Sequence, residues 1–146
     1  MGRGKTGSKG LVAFIDGGAR GNPGRAGAGV YFELEGAPWR GLYQYLGTTT
    51  NNVAEYSALL RALEYALKEG FRELIVYSDS ELLVRQILGQ YRVKNATLKS
   101  LYDEAINLID QMGSFAIHHI PRERNSAADA LANRAQDFGE DGEEHF

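Results

Sequence analysis

The hydrophobic period of this chain first changes near Thr50, and that change narrows the folds open to it. Before it lie three β-type runs. Leu11–Asp16 is apolar and ends in Asp-Gly-Gly, a turn signal, and a loop rich in Gly, Asn and Pro follows over Ala19–Arg25. Ala26–Leu34 alternates Val30, Phe32 and Leu34 against Tyr31 and Glu33. After a Glu-Gly-Ala-Pro turn, Trp39–Leu46 reads as a third strand. Short connections make these three an antiparallel meander. Beyond Thr50 the period becomes helical, with Leu59, Ala62, Leu63, Ala66 and Leu67 on one stripe and Gly70 placed to end it. A strand over Leu74–Tyr77, a short helix over Ser80–Leu88, an amphipathic helix from Leu98 to Met112, a strand over Phe115–Ile120 and a helix over Ser126–Phe138 complete the order βββ–α–β–α–α–β–α. Helical crossovers demand parallel neighbours with right-handed connections. The prediction is an α/β fold: a mixed five-stranded sheet, three strands antiparallel and two parallel, flanked by helices. The first strand sits centrally, antiparallel to the second and parallel to the fourth.

A length of 146 residues suits one such domain. With no cysteine, a disulfide framework, a thiolate nucleophile and a Cys-ligated zinc or iron–sulfur site are excluded. No apolar run is long enough for a membrane span, and residues 1–10 lack a signal-peptide core, so no membrane partner and a cytoplasmic setting are expected. The net charge of −3 looks wrong for a nucleic-acid binder, but five acids and no Lys or Arg fall after residue 136. Residues 1–136 carry 16 bases against 14 acids. The expected organisation is a flexible basic arm over 1–10, a folded domain over 11–138 and an acidic, disordered tail over 139–146.

Four acids carry the chemistry. Asp16 and Asp79 both stand where a parallel strand runs out, and neighbouring strands would put them about 4.8 Å apart across the sheet edge where α/β proteins bind ligands. Glu55 lies in the first turn of the long helix, four residues before Leu59, and Asp129 in the first turn of the last helix. Each has a bland explanation: Glu55 closes a capping box begun by Asn52, Asp79 caps the next helix, Asp129 offsets a helix dipole, Asp16 forms an Asx turn. Their common destination outweighs those readings. Four adjacent carboxylates raise one another's pKa, and hard divalent cations relieve the repulsion. Oxygen-only ligation suits Mg²⁺ or Mn²⁺, and two such ions can stabilise both oxygens of a phosphodiester displacement.

The chain resembles type 1 ribonuclease H over about Leu11 to Phe138. The motifs that carry the resemblance are Phe14-Ile15-Asp16-Gly17-Gly18, Arg20-Gly21-Asn22-Pro23-Gly24, Thr50-Asn51-Asn52-Val53-Ala54-Glu55, Tyr77-Ser78-Asp79-Ser80 and Asn125-Ser126-Ala127-Ala128-Asp129-Ala130-Leu131-Ala132. It implies the ribonuclease H-like fold and two Mg²⁺ ions held by Asp16, Glu55, Asp79 and Asp129. It further implies hydrolysis of the RNA strand of RNA–DNA hybrids, leaving 5′-phosphate and 3′-hydroxyl ends. Asn22, Asn51 and Asn52 match substrate-binding positions at the minor groove, where only the 2′-hydroxyl tells RNA from DNA, and Gly17 matches a further substrate-binding position. Thr50 matches a contact to a DNA-strand phosphate.

Two departures from the family pattern matter. Many members carry a histidine on a mobile loop before the last aspartate. Here that loop is short, and the chain resembles the subgroup with an arginine, Arg122, in its place; His119, on the preceding strand, is the other candidate. The lysine-rich helical protrusion of some members is missing, leaving Arg92 and Lys94 in a loop as candidate phosphate contacts. Two other readings stay open: a non-catalytic module that binds hybrid or double-stranded RNA, and a nuclease that also admits RNA duplexes. A monomer is expected.

Overall fold

In the computed structural model, which describes residues 10–146, the first strand, β1 (Leu11–Arg20), buries Leu11, Ala13, Ile15 and Gly17 on one face. The basic arm expected over 1–10 lies, apart from Gly10, outside the described residues. β1 runs four residues past Asp16, so the Asp-Gly-Gly signal is not a turn. Gly17 is glycine because the long helix comes down on it: a Cβ there would collide with the Ala54 carbonyl. The turn falls later, at Gly21-Asn22-Pro23, and β2 (Gly24–Leu34) pairs antiparallel with β1 along its length. Glu35 and Gly36, with φ of 53° and 82°, make the two-residue hairpin loop into β3 (Ala37–Thr49); positive φ at both positions matches the twist of the flanking strands.

Helix α1 (Asn51–Lys68) follows at once. Its N-cap is Thr50, whose hydroxyl oxygen accepts from the Val53 N–H at 3.2 Å. The capping box expected from Asn52 to Glu55 is therefore absent, and Glu55 is released for other work. Nine residues of α1 are buried, from Ala54 to Ala66, because the helix lies between the sheet and α3 (Ala96–Asp110). β4 (Glu73–Ser78) runs parallel to β1, and α2 (Glu81–Ile87) starts on a Ser80 cap. β5 (Ser114–His119) runs parallel to β4, a 3₁₀ turn covers Arg122–Arg124, and α4 (Ser126–Phe138) ends on Gly139 in the left-handed conformation.

Helix α4 packs on the opposite face of the sheet from α1, over β2, β3 and β1. Its backbone rests on glycine: a Cβ at Gly29 would strike the Ala128 carbonyl, and one at Gly27 the Ala132 carbonyl. That contact fixes the height of Asp129 above the sheet.

The sheet order is β5–β4–β1–β2–β3–β6. The central placement of β1 and both parallel pairings are as the sequence predicts. The strand count is not. A sixth strand, β6 (Gly142–His145), pairs antiparallel with Arg40–Tyr43 of β3, and it comes from the segment expected to be a disordered tail. Side chains explain its order. Tyr65 donates its hydroxyl to Glu143 at 2.7 Å, Arg134 pairs with Glu144 at 2.6 Å, and the Tyr45 N–H donates to Asp141 at 2.8 Å. With Asp137, which pairs with Arg20 of β1 at 2.6 Å, four of the five acids that looked like a solvated run have partners on other elements.

Candidate active site

Parallel pairing of β1 with β4 matches Ile15 with Ser78, so the next residue on each strand, Asp16 and Asp79, emerges side by side. Helix α1, seated on Gly17, lowers Glu55 onto the same point, where its carboxylate accepts from the Gly17 N–H at 3.0 Å. Carboxylate oxygens of Asp16, Glu55 and Asp79 all lie within 4.8 Å of one another. Asp129, projecting from the first turn of α4, stands outside that triad but adjoins it through a hydrogen bond with Asp16.

The electrostatics follow from that crowding. Burial, the Asp79 charge and the hydrogen bond to Asp129 push Asp16 up to about 8, with the Arg122 guanidinium pulling the other way. Burial also raises Glu55 well above the usual carboxylate range. The charges of Asp16 and Asp79 add to that shift, while the Gly17 N–H and Arg122 oppose it. Carboxyls pushed up in this way are short of positive charge. An all-oxygen donor set of this size fits a hard divalent cation, and Asp16, Glu55 and Asp79 can bind one.

Asn125 supports the triad. It is buried, and its side-chain N–H₂ donates to the Ile15 carbonyl at 2.9 Å and to Asp79 at 3.2 Å. Its position just before α4 suggests a helix cap, yet it makes no side-chain cap bond. Sequence reasoning placed Asn125 in a motif but gave it no role.

The remaining candidates divide among three hollows. Arg122, on the 3₁₀ turn, lines a groove of about 290 Å³ with Asp16, Asp129, Asn51, Arg20 and Asn133. His119 lines a separate hollow between α2 and β5 with Glu81, Arg85 and Gln90, and it is Arg122 whose charge bears on Asp16 and Glu55. Asn22, Thr50 and Asn52 line a polar hollow of about 350 Å³ with Asn95 and Thr97, two residues not singled out from sequence. Asn95 also caps α3, and the exposed Lys94 precedes it. Asn51 accepts from the Ala19 N–H at 2.8 Å through its side-chain oxygen, and its own N–H donates to Asn22 at 3.0 Å. Neither Asn51 nor Asn52 caps α1.

Known proteins resemble this chain in sequence and fold. A family model described as reverse transcriptase-like matches residues 14–135. Ribonuclease HI of Halobacterium salinarum is 38% identical over 126 residues, which is 86% of this chain and 63% of that protein. The crystal structure of that organism's RNase H1 has a TM-score of 0.84 at 37% identity, covering 87% of this chain and 97% of the other. LC11-RNase H1, solved in complex with an RNA/DNA hybrid, has a TM-score of 0.84 at 43% identity over 89% of this chain and 99% of its own. A bifunctional protein of Mycobacterium tuberculosis is 43% identical over 87% of this chain, which spans only 35% of that relative's length. In sequence and in fold alike, the chain belongs to the ribonuclease H family and stands with its type 1 members.

Proposed function

We propose that this chain hydrolyses the RNA strand of RNA–DNA hybrids with two Mg²⁺ ions, leaving 5′-phosphate and 3′-hydroxyl ends, and that residues 11–138 form its catalytic unit. The observation that carries the reading is the meeting of three carboxylates within 4.8 Å, where the end of β4 lies beside Asp16 of β1. Asp16, Glu55 and Asp79, with Asp129 beside them, would hold the ions, which when bound supply charge to activate water and to stabilise the departing oxygen.

The chain's own residues do the rest. Asn125 holds the Asp79 carboxylate in place, and the Gly17 N–H holds Glu55. Arg122, exposed above the groove, offers a positive charge to the scissile phosphate without entering the triad. The side-chain oxygens of Asn51 and Asn22 are engaged within the protein, which leaves their N–H₂ groups to donate to a ribose 2′-hydroxyl. Thr50 accepts a cap bond through its oxygen, so its hydroxyl proton is free to meet a DNA phosphate in the adjoining hollow. LC11-RNase H1 binds an RNA/DNA hybrid on the same fold, which supports this substrate.

Incubating labelled RNA–DNA hybrid, RNA duplex and DNA duplex with Mg²⁺, with wild type and with Asp79→Asn, tests the proposal. RNA-strand cleavage of the hybrid that disappears in Asp79→Asn is expected. Binding without cleavage would make the chain a recognition module, and equal cutting of DNA would remove the 2′-hydroxyl from the argument.

A further inference from the structure

The groove at the triad does not end at Asp16. It continues along β1 to Arg20, which faces Asn133 on α4. Arg20 Nη2 donates to the Asn133 side-chain oxygen at 3.4 Å, and Asn133 in turn donates to Asp129 at 3.2 Å. The other guanidinium nitrogen, Nη1, pairs with Asp137 at 2.6 Å, one turn further along α4. A line of polar side chains thus leads from the acids to a cation and ends on that cation's own counter-ion. Both partners remain accessible, at 46% and 52% side-chain exposure, so an incoming anion can reach the guanidinium without any backbone moving.

We propose that Arg20 binds a backbone phosphate of the RNA strand next to the one at the triad, and that Asp137 competes with that phosphate and so sets the affinity for the hybrid. The proposal rests on the functional reading above, because a groove that contains the cutting acids must also contain the strand being cut. The planar fork of arginine matches phosphate geometry in two bonds at once, whereas an exposed carboxylate partner contributes little and is easily displaced. Asp16 and Arg20 are four residues apart on one strand, so their side chains project from the same face and are separated by roughly 13 Å along it. Arg122 and Arg20 both line the groove that holds Asp16 and Asp129, so a polyanion laid along it meets two positive charges.

Steady-state cleavage of a short RNA–DNA hybrid over a series of salt concentrations, with wild type, Arg20→Ala, Arg20→Lys and Asp137→Asn, tests this directly. Arg20→Ala is expected to raise KM about tenfold with kcat within about twofold, and to reduce the slope of log(kcat/KM) against log[salt] by about 0.9, the loss of one phosphate contact. Arg20→Lys should keep the salt slope, and Asp137→Asn should lower KM. A merely structural ion pair predicts that removing either partner acts in the same direction and leaves the salt slope alone; that result overturns the proposal. Should the wild type leave the hybrid uncut, the functional reading falls first, and this proposal with it.

Discussion

The side-chain amide of Asn125 bridges the Ile15 carbonyl and the Asp79 carboxylate, at 2.9 and 3.2 Å, tying the loop after β4 to the strand that carries Asp16. One buried residue thereby sets the spacing of two acids that come from different strands. Replacing it with alanine leaves the buried Ile15 carbonyl without this donor and frees Asp79. Asn125→Ala is expected to cost about 1–3 kcal/mol of stability and roughly 10–100-fold in metal affinity or kcat. Urea unfolding and Mg²⁺ titration measure the two effects separately, and unchanged metal affinity would reduce Asn125 to a packing residue.

Protonation of Asp16 links stability to pH. Its carboxyl titrates near 3.8 when unfolded and at about 8 in the fold, so the folded state keeps a proton that the unfolded chain gives up. In chelator, stability is therefore greatest below about pH 4 as far as this group is concerned, and it declines as pH rises toward 8. Asp16→Asn should flatten that decline and raise the metal-free melting temperature at neutral pH, by roughly 2–4 °C for each kcal/mol relieved. It should abolish cleavage as well. Thermal melts across the window decide the matter, and an unchanged slope would show that Asp16 is not the linked group.

Metal binding should release protons for the same reason. Below about pH 8 a divalent cation must displace the proton on Asp16, so apparent affinity is expected to climb by up to about tenfold per pH unit and then level off. Calorimetric titration in two buffers of different ionisation enthalpy reads the proton directly. A binding enthalpy independent of buffer would count against a protonated Asp16.

Gly29 tests how the last helix is seated. Gly29→Ala drives a methyl group into the Ala128 carbonyl and must lift the first turn of α4, taking Asp129 with it. The expected cost is about 1–3 kcal/mol, accompanied by a larger fractional loss of activity than of folded protein. Gly36→Ala, at a turn with open space around its Cα, is the control for backbone strain alone. Equal effects of the two on activity would mean that Asp129 does not depend on this contact.

The fold was readable where local pattern and long-range packing agree. Period-two and helical stripes placed the first five strands and every long helix, and the end of β4 located Asp79, whereas β1 continues four residues past Asp16. The acids also revealed their meeting point, because topology alone carries them to one edge. Other features depend on partners far away in sequence. Gly17 looks like part of a turn until α1 is seen lying on it. Asn52 and Glu55 fit a capping box, but Thr50 takes the cap and Glu55 bonds Gly17, 38 residues away. Gly142–His145 has no apolar alternation, and what orders it is an edge of β3 together with Tyr65 and Arg134. Asn133 and Arg20 are 113 positions apart, so no local motif could have joined them.

Closing the chain on β3 also decides how molecules of this protein meet one another. β3 is 13 residues long, and a bare strand of that length would offer a row of unpaired N–H and C=O groups to the same strand of a second molecule. β6 occupies Arg40–Tyr43, the Phe146 N–H bonds the Trp39 carbonyl on one side, and Asp141 receives the Tyr45 N–H on the other. What faces outward instead is an edge four residues long, two of them glutamate. An edge that short leaves few N–H and C=O groups for a second molecule to pair with, so the acidic segment that makes the whole chain look anionic acts here as a cover for the sheet.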